Sequence, residues 1–331
     1  MGTTTTTDTQ LQSEFERLTA PLRPELLAHC YRLLGSASDA EDQVQETYLR
    51  AWRAFHSFEG RSSVRTWMYR IATNTCLSAL GSAGRRVLPT GLGQPAGDPV
   101  EPVREARGTP WLEPLPDAVL WSAPTPDPQD ATVAREGVGL ALVVALQDLP
   151  PRQRAALVLR DVLRFSAEEA AGVLGCSVAA LNSALQRARA RVGEGTRREG
   201  RRAEDLSPEE RRLYDEFCAA FERYDVPAVV ALLASDATWE MPPFDRWYAG
   251  QDAVAALIGA QCPAKTAGDL RMLPTVANGQ PAAGMYLRRD DGYHPFQLVV
   301  LDIHEGRIAH VAGFFEPELF TRAGLPALLP A

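Results

Sequence analysis

Asn182, Ser183, Gln186, Arg187 and Arg189 recur at helical spacing on a segment whose other side, Val178, Leu181, Leu185, Ala188 and Val192, is apolar. Those polar types suit nucleic acid. A forked guanidinium can grip a guanine edge or a phosphate, the carboxamides of Asn and Gln can pair with adenine, and a serine at a helix start such as Ser177 can bond a phosphate. A second set, Asp39, Asp42, Gln43 and Glu46, stands at i, i+3, i+4 and i+7 and forms a polar stripe fit to meet a partner surface. A third set combines cations with planar and polar groups: Arg61, Arg65, Tyr69, Thr73 and Asn74. Phosphates need the cations and unstacked bases need a flat surface, so this mixture suits single-stranded DNA. In the last third of the chain Trp239, Trp247 and Tyr248 could line a small apolar pocket. Asp245, Asp302, His294, His304 and His310 are the acids and bases weighed for catalysis there. Asp302 and His304 alternate on one strand face, but ordinary strand partners or surface groups account for them, and no third metal ligand is fixed by spacing.

The elements that must carry these groups are legible. Ser166 and Glu169 have capping-box spacing, Gly175 stands where a helix end needs left-handed backbone, and Ser177 can cap the next helix. Two helices joined by a short turn make a helix-turn-helix, whose second helix can lie in a DNA groove; a plain surface helix of an all-α domain would show the same amphipathic pattern. Upstream, three amphipathic helices follow one another from about Leu22 to Leu80. Leu22, Leu26, Cys30, Leu33 and Leu34 form the first stripe, ended by Gly35. Asp39 then caps a second helix that buries Val44, Tyr48, Ala51 and Phe55. The third starts near Ser62 or Ser63, with Val64, Trp67, Met68, Ile71 and Thr75 inward and Arg65, Tyr69 and Thr73 outward. Acids near a helix start are often only a solvated face that favours the dipole.

Residues 89–128 contain 10 prolines in 40 positions and read as a linker that excludes regular helix or central strand. Trp111-Leu112 and Val119-Leu120-Trp121 are apolar enough to dock on a neighbouring domain. After a charged connector, Leu213, Phe217 and Phe221 mark a helix. Strands are expected at 237–241, 271–277, 282–288, 296–304 and 308–314, with Asn278-Gly279, Asp291-Gly292 and Glu305-Gly306 as hairpin turns. That order is an α+β pattern.

The chain has 331 residues and a net charge of -8, which alone argues against nucleic acid, but the charge is unevenly placed. Residues 131–202 carry 12 Arg against 7 acids, whereas residues 203–331 carry 10 basic and 19 acidic groups. A basic module beside an acidic one suggests DNA contact by the first and self-restraint by the second. Five cysteines without Cys-x-x-Cys spacing indicate neither a disulfide framework nor a zinc knuckle, and no apolar run or signal-peptide pattern stands out, so a cytoplasmic protein with no membrane contact is expected.

On these motifs the chain resembles an extracytoplasmic-function sigma factor of the sigma-70 family. His29-Cys-Tyr-Arg-Leu-Leu-Gly35, Asp39-Ala-Glu-Asp42-Gln-Val-Gln-Glu46-Thr and Ser63-Val-Arg65-Thr-Trp67-Met-Tyr69-Arg70-Ile-Ala-Thr73-Asn74 are similar to sigma region 2. Leu149-Pro-Pro-Arg152-Gln-Arg154 through Leu185-Gln-Arg187-Ala-Arg189 is similar to region 4. The tail, with its Phe217 to Asp225 helix and turn, Trp239-Glu-Met-Pro-Pro243 and Asn278-Gly-Gln-Pro-Ala282, resembles a SnoaL-like domain. The resemblance implies a multidomain chain of two all-α sigma modules, the region 2 helical bundle and the region 4 helix-turn-helix, followed by an α+β SnoaL-like cone. The expected boundaries are 1–20 disordered, 21–88 region 2, 89–130 linker, 131–193 region 4, 194–208 connector, 209–318 SnoaL-like domain and 319–331 tail.

It further implies that Asp39, Asp42, Gln43 and Glu46 face the clamp helices of the largest subunit of core RNA polymerase, with the flap as a further contact. Arg61, Arg65, Tyr69, Thr73 and Asn74 would engage the promoter -10 element, and Ser177, Asn182, Ser183, Gln186, Arg187 and Arg189 the -35 element. Family members often place Lys or Arg where this chain has Asn182 and Ala184, so its recognition helix leans on shape and backbone contact. Such tails contact their own sigma modules as built-in regulators, and a small-molecule ligand in the pocket is part of that expectation. No catalysis, metal or cofactor is expected. Two rival readings stand beside this one: a SnoaL-like small-molecule-binding or isomerase/hydrolase-type enzyme domain, and an operator-binding helix-turn-helix regulator independent of polymerase.

Overall fold

The computed structural model describes residues 3–81, 84–96, 98–120, 137–192 and 202–331. They divide into two compact units, one made of Met1–Arg85, Leu120–Val138 and Leu142–Arg197, the other of Arg86–Val119, Gly139–Ala141 and Arg198–Ala331. Among the described residues no helix is long and apolar enough to cross a membrane.

The first unit is helical. It opens with α1 (Thr3–Thr19), α2 (Arg23–Leu34), α3 (Ala37–Phe55) and α4 (Val64–Leu80). The expected disordered start is replaced by α1, because Leu11, Phe15 and Leu18 share one side of it and Phe15 has aromatic partners to reach. The Phe15 ring lies 5.1 Å from Phe55, 5.4 Å from Trp52 and 6.2 Å from Tyr48. Helix α2 is central and buries every residue from Pro24 to Leu34. Its end is the left-handed Gly35, but the cap of α3 is Ser36 rather than Asp39: the Ser36 hydroxyl accepts from the Asp39 amide at 3.0 Å. Asp39 thus occupies the first turn, where its charge favours the dipole.

After the four-residue α5 (Asp117–Leu120), α6 (Leu140–Gln147) and α7 (Pro151–Leu157) follow, and α7 runs into a π-helical turn over Val158–Val162. Arg154 on α7 is buried, and its guanidinium donates to the carbonyl of Leu33, to Gln147 Oε1 at 2.6 Å and to the carbonyl of Leu149 at 3.2 Å. Helices α8 (Ala167–Leu174) and α9 (Val178–Val192) complete the unit. Ser166 and Glu169 form the reciprocal capping box, and Gly175 ends α8 at φ +60°, a backbone conformation that a side chain would strain.

In the second unit α10 (Pro208–Glu222) and α11 (Val226–Ala231) precede the sheet and α12 (Gln251–Gln261) crosses it. The strands β1 (Leu233–Glu240), β2 (Trp247–Ala249), β3 (Leu270–Ala277), β4 (Gln280–Arg289), β5 (Gly292–His304) and β6 (Arg307–Phe314) are ordered β2-β1-β6-β5-β4-β3. Only the β1–β6 pair is parallel. Asn278-Gly279 and Glu305-Gly306 both take positive φ, the backbone that a two-residue hairpin demands. Alternate residues Trp239, Met285, Val299, Leu301 and Val311 form a core with Phe217, Phe221, Leu257 and Ile258 of the helices.

Residues 86–119 are more than a spacer, because they belong to this unit. Leu112 and Leu115 are buried, and the Leu115 and Asn278 backbones bond at 2.7 Å while Asn278 Oδ1 accepts from the Leu115 amide at 3.0 Å. Trp121 lies outside the described residues. The C-terminal segment is also fixed: α13 (Glu318–Arg322) sets Phe320 5.0 Å from Tyr286, and Leu329 exchanges both backbone bonds with Tyr293.

Candidate functional site

The outer face of α9 carries Ser177, at its start, with Asn182, Ser183, Gln186, Arg187 and Arg189, and all six are exposed. Leu181, Leu185 and Ala188 are buried on the opposite side, which fixes that face outward. The Ser177 hydroxyl accepts from the Ala180 amide at 3.2 Å, and Ser183 Oγ donates to the Ala179 carbonyl. Arg189 is held by both oxygens of Asp161, at 2.8 and 2.6 Å, whereas Arg187 and Gln186 have no such partner among the described residues. Two unencumbered donors therefore sit at the centre of the face.

On α3 the stripe is solvent-facing, with Asp42 exposed and Asp39, Gln43 and Glu46 half-buried. Glu46 pairs with Arg50 at 2.6 Å. Leu49, 52% exposed, adjoins the stripe as apolar surface, while Trp52, 38% exposed, lies on another side of the helix with its ring 5.4 Å from Phe15. The i+7 spacing from Asp42 and i+3 spacing from Glu46 were available in the sequence to find Leu49.

The third set is arranged differently from the expectation. Arg61, paired with Glu59 at 3.1 Å, and Asn74 are exposed, but Tyr69 and Thr73 are fully buried rather than outward. The cover of Tyr69 comes from the far half of the same unit. Leu163 and Phe165 bond back onto the carbonyls of Val158 and Leu159 through Arg164, at φ +57°, and this turn delivers the Phe165 ring to within 5.1 Å of Tyr69. The Arg65 guanidinium lies 4.8 Å from the Phe165 ring centre and 4.9 Å from that of Tyr69. Glu25, buried beneath, takes Arg65 Nη2 at 2.9 Å and the Tyr69 hydroxyl at 3.1 Å. Burial, with the Glu25 charge next in weight, pushes the Tyr69 phenol well above its ordinary range. Thr73 meets His29 Nε2 at 2.9 Å; burial, then the charges of Arg32 and Arg65, lowers the His29 pKa to about 3, so that imidazole is neutral.

A model for Sigma-70 region 2 matches residues 18–86, one for Sigma-70, region 4 matches 139–192, and one for a SnoaL-like domain matches 214–311. The ECF RNA polymerase sigma factor SigG of Mycobacterium tuberculosis is 51% identical over 95% of this chain and 85% of its own. The chain belongs to the extracytoplasmic-function sigma factors of the sigma-70 family. SigJ of the same organism, another sigma factor of this kind, is 29% identical over 95% of this chain and 94% of its own. The crystal structure of SigJ aligns with 95% of the chain at a TM-score of 0.59 and 26% identity. A sigma factor's two helical modules thus share the first unit, and the SnoaL-like tail forms the body of the second.

In the tail of this sigma factor a cavity of about 250 Å3 opens among Phe221, Trp239, Phe244, Met285, Phe296 and Phe315. Trp239 is the one member of the expected trio on its wall. Tyr248 pairs with Trp239 across β2 and is buried in the core, and Trp247 turns its indole N–H to the Gly93 carbonyl at 2.9 Å. Asp245, Asp302, His294, His304 and His310 all lie off the cavity wall. His310 instead bonds Glu240 at 2.7 Å, His304 meets Asp302 at 3.0 Å and His294 meets Asp291 at 2.7 Å. The one titratable group on the wall is the Cys262 thiol, whose pKa burial raises.

Proposed function

We propose that this sigma factor docks on core RNA polymerase through Asp39, Asp42, Gln43 and Glu46 of α3, extended by Leu49. In this reading α9 holds the -35 element with Arg187 and Gln186 foremost, while Ser177, Asn182, Ser183 and Arg189 brace the phosphates and groove edges. Arg61, Arg65, Tyr69, Thr73 and Asn74 engage the opened -10 element after the Phe165 cover has moved. The observation that carries the reading is the contrast between two surfaces. The α9 donors are open to solvent, whereas Tyr69 is sealed. Duplex contact is available to the free chain; contact with unstacked bases waits on a rearrangement that the larger partner can drive.

The SnoaL-like tail tunes this activity without performing chemistry. Support comes from its cavity, whose wall offers no carboxylate, imidazole or amine to move a proton. Run-off transcription with purified core polymerase is the test. Promoter-dependent transcripts that need both proteins are expected. Duplex binding with no effect on initiation would instead favour an operator-binding regulator, and turnover of a small molecule by the full chain would favour an enzyme.

A further inference from the structure

Asp161 belongs to none of the residue sets placed on the promoter-binding surfaces, yet it grips a member of one. It lies in the π-helical turn Val158–Val162, where the Leu163 amide bonds back to the Val158 carbonyl at 2.9 Å, five residues away instead of four; such insertions recur at functional sites. Its partner Arg189 continues the exposed row Asn182 and Gln186 along α9, at i, i+4 and i+7. The two side chains meet through a double hydrogen bond. Arg189 Nε donates to Asp161 Oδ2 at 2.8 Å and Nη2 donates to Oδ1 at 2.6 Å, and neither side chain has a second partner among the described residues.

A guanidinium carries two forks of donors, one along its side (Nε and Nη2) and one at its end (Nη1 and Nη2). Asp161 fills the side fork and leaves the end fork open, on a side chain 57% exposed. The pairing does two things for a helix lying on DNA. An arginine on a surface helix otherwise samples many rotamers and loses that freedom on binding, whereas this one is already posed. Its charge is also cancelled by a carboxylate one hydrogen bond away. A bare cation binds any phosphate and releases a counterion in doing so, which adds affinity without discrimination; a cation already paired gains less from a phosphate met at random. Arg187 supplies the contrast on the same face, being exposed with no carboxylate on it among the described residues.

We propose that Asp161 is a positioning residue for promoter recognition: it fixes the end fork of Arg189 for a pair of acceptor atoms at the -35 element, a guanine edge or a phosphate met in register, and suppresses use of that cation as an unselective phosphate grip. The proposal rests on the reading that α9 holds the -35 element, and adds to it a residue outside the helix-turn-helix that sets the ratio of specific to non-specific binding. A carboxylate in this place acts as much against wrong DNA as in favour of right DNA.

The test uses the full chain and a library of short duplexes randomised at their centre. Selection on the parent chain yields a preferred duplex, which is titrated beside a scrambled one by fluorescence anisotropy at several salt concentrations. Asp161→Ala should bind the scrambled duplex about three- to tenfold more tightly at about 0.1 M salt and steepen its salt dependence by about one phosphate contact. The ratio of preferred to scrambled affinity should fall at least about threefold. Asp161→Asn, nearly isosteric and uncharged, serves should the alanine variant not fold. Arg189→Lys, which keeps the charge and loses the fork, should lower the same ratio with a salt slope like the parent's. Adding Asp161→Ala to Arg189→Ala should leave that variant's ratio where it is. Discrimination lost at a single base pair identifies the acceptor as a guanine edge, and loss spread evenly identifies a phosphate. A purely structural brace would lower the thermal midpoint and weaken both duplexes alike; that result, an unchanged ratio or an unchanged slope would overturn the proposal, and the -35 reading would stand as long as the parent enriches a sequence that Arg187→Ala binds more weakly. If the parent enriches no duplex, the -35 reading fails and takes the proposal with it.

Discussion

Replacing Phe165 with Ala should uncover Tyr69 in the free protein. The ring is buried, and two of its contacts cross to the face proposed for the -10 element: the edge-to-face pair with Tyr69 at 5.1 Å and the Arg65 guanidinium at 4.8 Å. An aromatic pair contributes about 1 kcal/mol beyond burial and a partly desolvated cation–π contact about another 1 kcal/mol. Their joint loss of roughly 2 kcal/mol favours the open arrangement about thirtyfold. The remaining cost of a Phe→Ala truncation, which totals about 3–5 kcal/mol, falls on the packing within the far half and does not bear on opening. Hydroxyl-radical footprinting read by mass spectrometry measures the change directly. Tyr69 should be protected in the parent chain, strongly labelled in the variant, and labelled in the parent when core polymerase is added. If Tyr69 stays equally protected in a variant whose circular dichroism is unchanged, Phe165 is not the cover and the reasoning fails.

Arg187→Ala should weaken -35 duplex binding by about 1–3 kcal/mol and flatten its salt dependence, and filter binding at several salt concentrations would expose a residue that makes no contact. Asp42→Arg should lower affinity for core polymerase at least several-fold through like-charge juxtaposition, with an unchanged urea midpoint; equal anisotropy titrations would remove α3 from that interface. His29 links the helical unit to pH. Its folded pKa of about 3 lies below the ordinary 6.5, so the unfolded chain takes up the proton first. Stability is full above about pH 6.5 and declines by about 1.4 kcal/mol per pH unit as pH falls toward 3. Urea titrations at about pH 7 and 5.5 should differ by about 1.3 kcal/mol, and His29→Gln should remove that difference; equal differences in parent and variant would contradict the assignment. Deleting residues 205–331 should change run-off output while polymerase binding persists, and identical output would end the tail's regulatory role.

Much of this was legible because its causes are local. Ser166, Glu169 and Gly175 dictate both ends of α8 within a dozen positions, and the Asn278-Gly279 and Glu305-Gly306 turns dictate their hairpins. The α9 face followed from spacing alone. Tyr69 escaped the same logic because an amphipathic pattern says which side of a helix is mixed, not what arrives from a hundred residues later to cover it, and Thr73 because its partner is His29 of α2. The N-terminal helix was hidden by its threonines, which are poor helix formers, and its three apolar residues matter only once Phe55 and Trp52 are in place. The docking of the proline-rich linker shows in its apolar residues, Leu112 among them, whereas the backbone hydrogen bonds of Ala96 and Ala106 to Trp247 and Pro243 have no signal in composition. Trp239 is legible as a wall residue by its type, whereas its neighbours Phe244, Phe296 and Phe315 come from separate segments that no spacing joins.

Arg154 bonds to residues of both helical modules, Leu33 and Gln147. Its cation is enclosed among carbonyl oxygens of both helical modules, with no carboxylate paired to it among the described residues, and enclosure has drawn its pKa down to about 10. A charge kept from water pulls toward water, so the joint between the modules carries its own tension. Separation rehydrates the guanidinium and returns part of what the broken contacts lose. A clasp of this kind can hold the lone chain shut and still yield to a larger surface without either half unfolding.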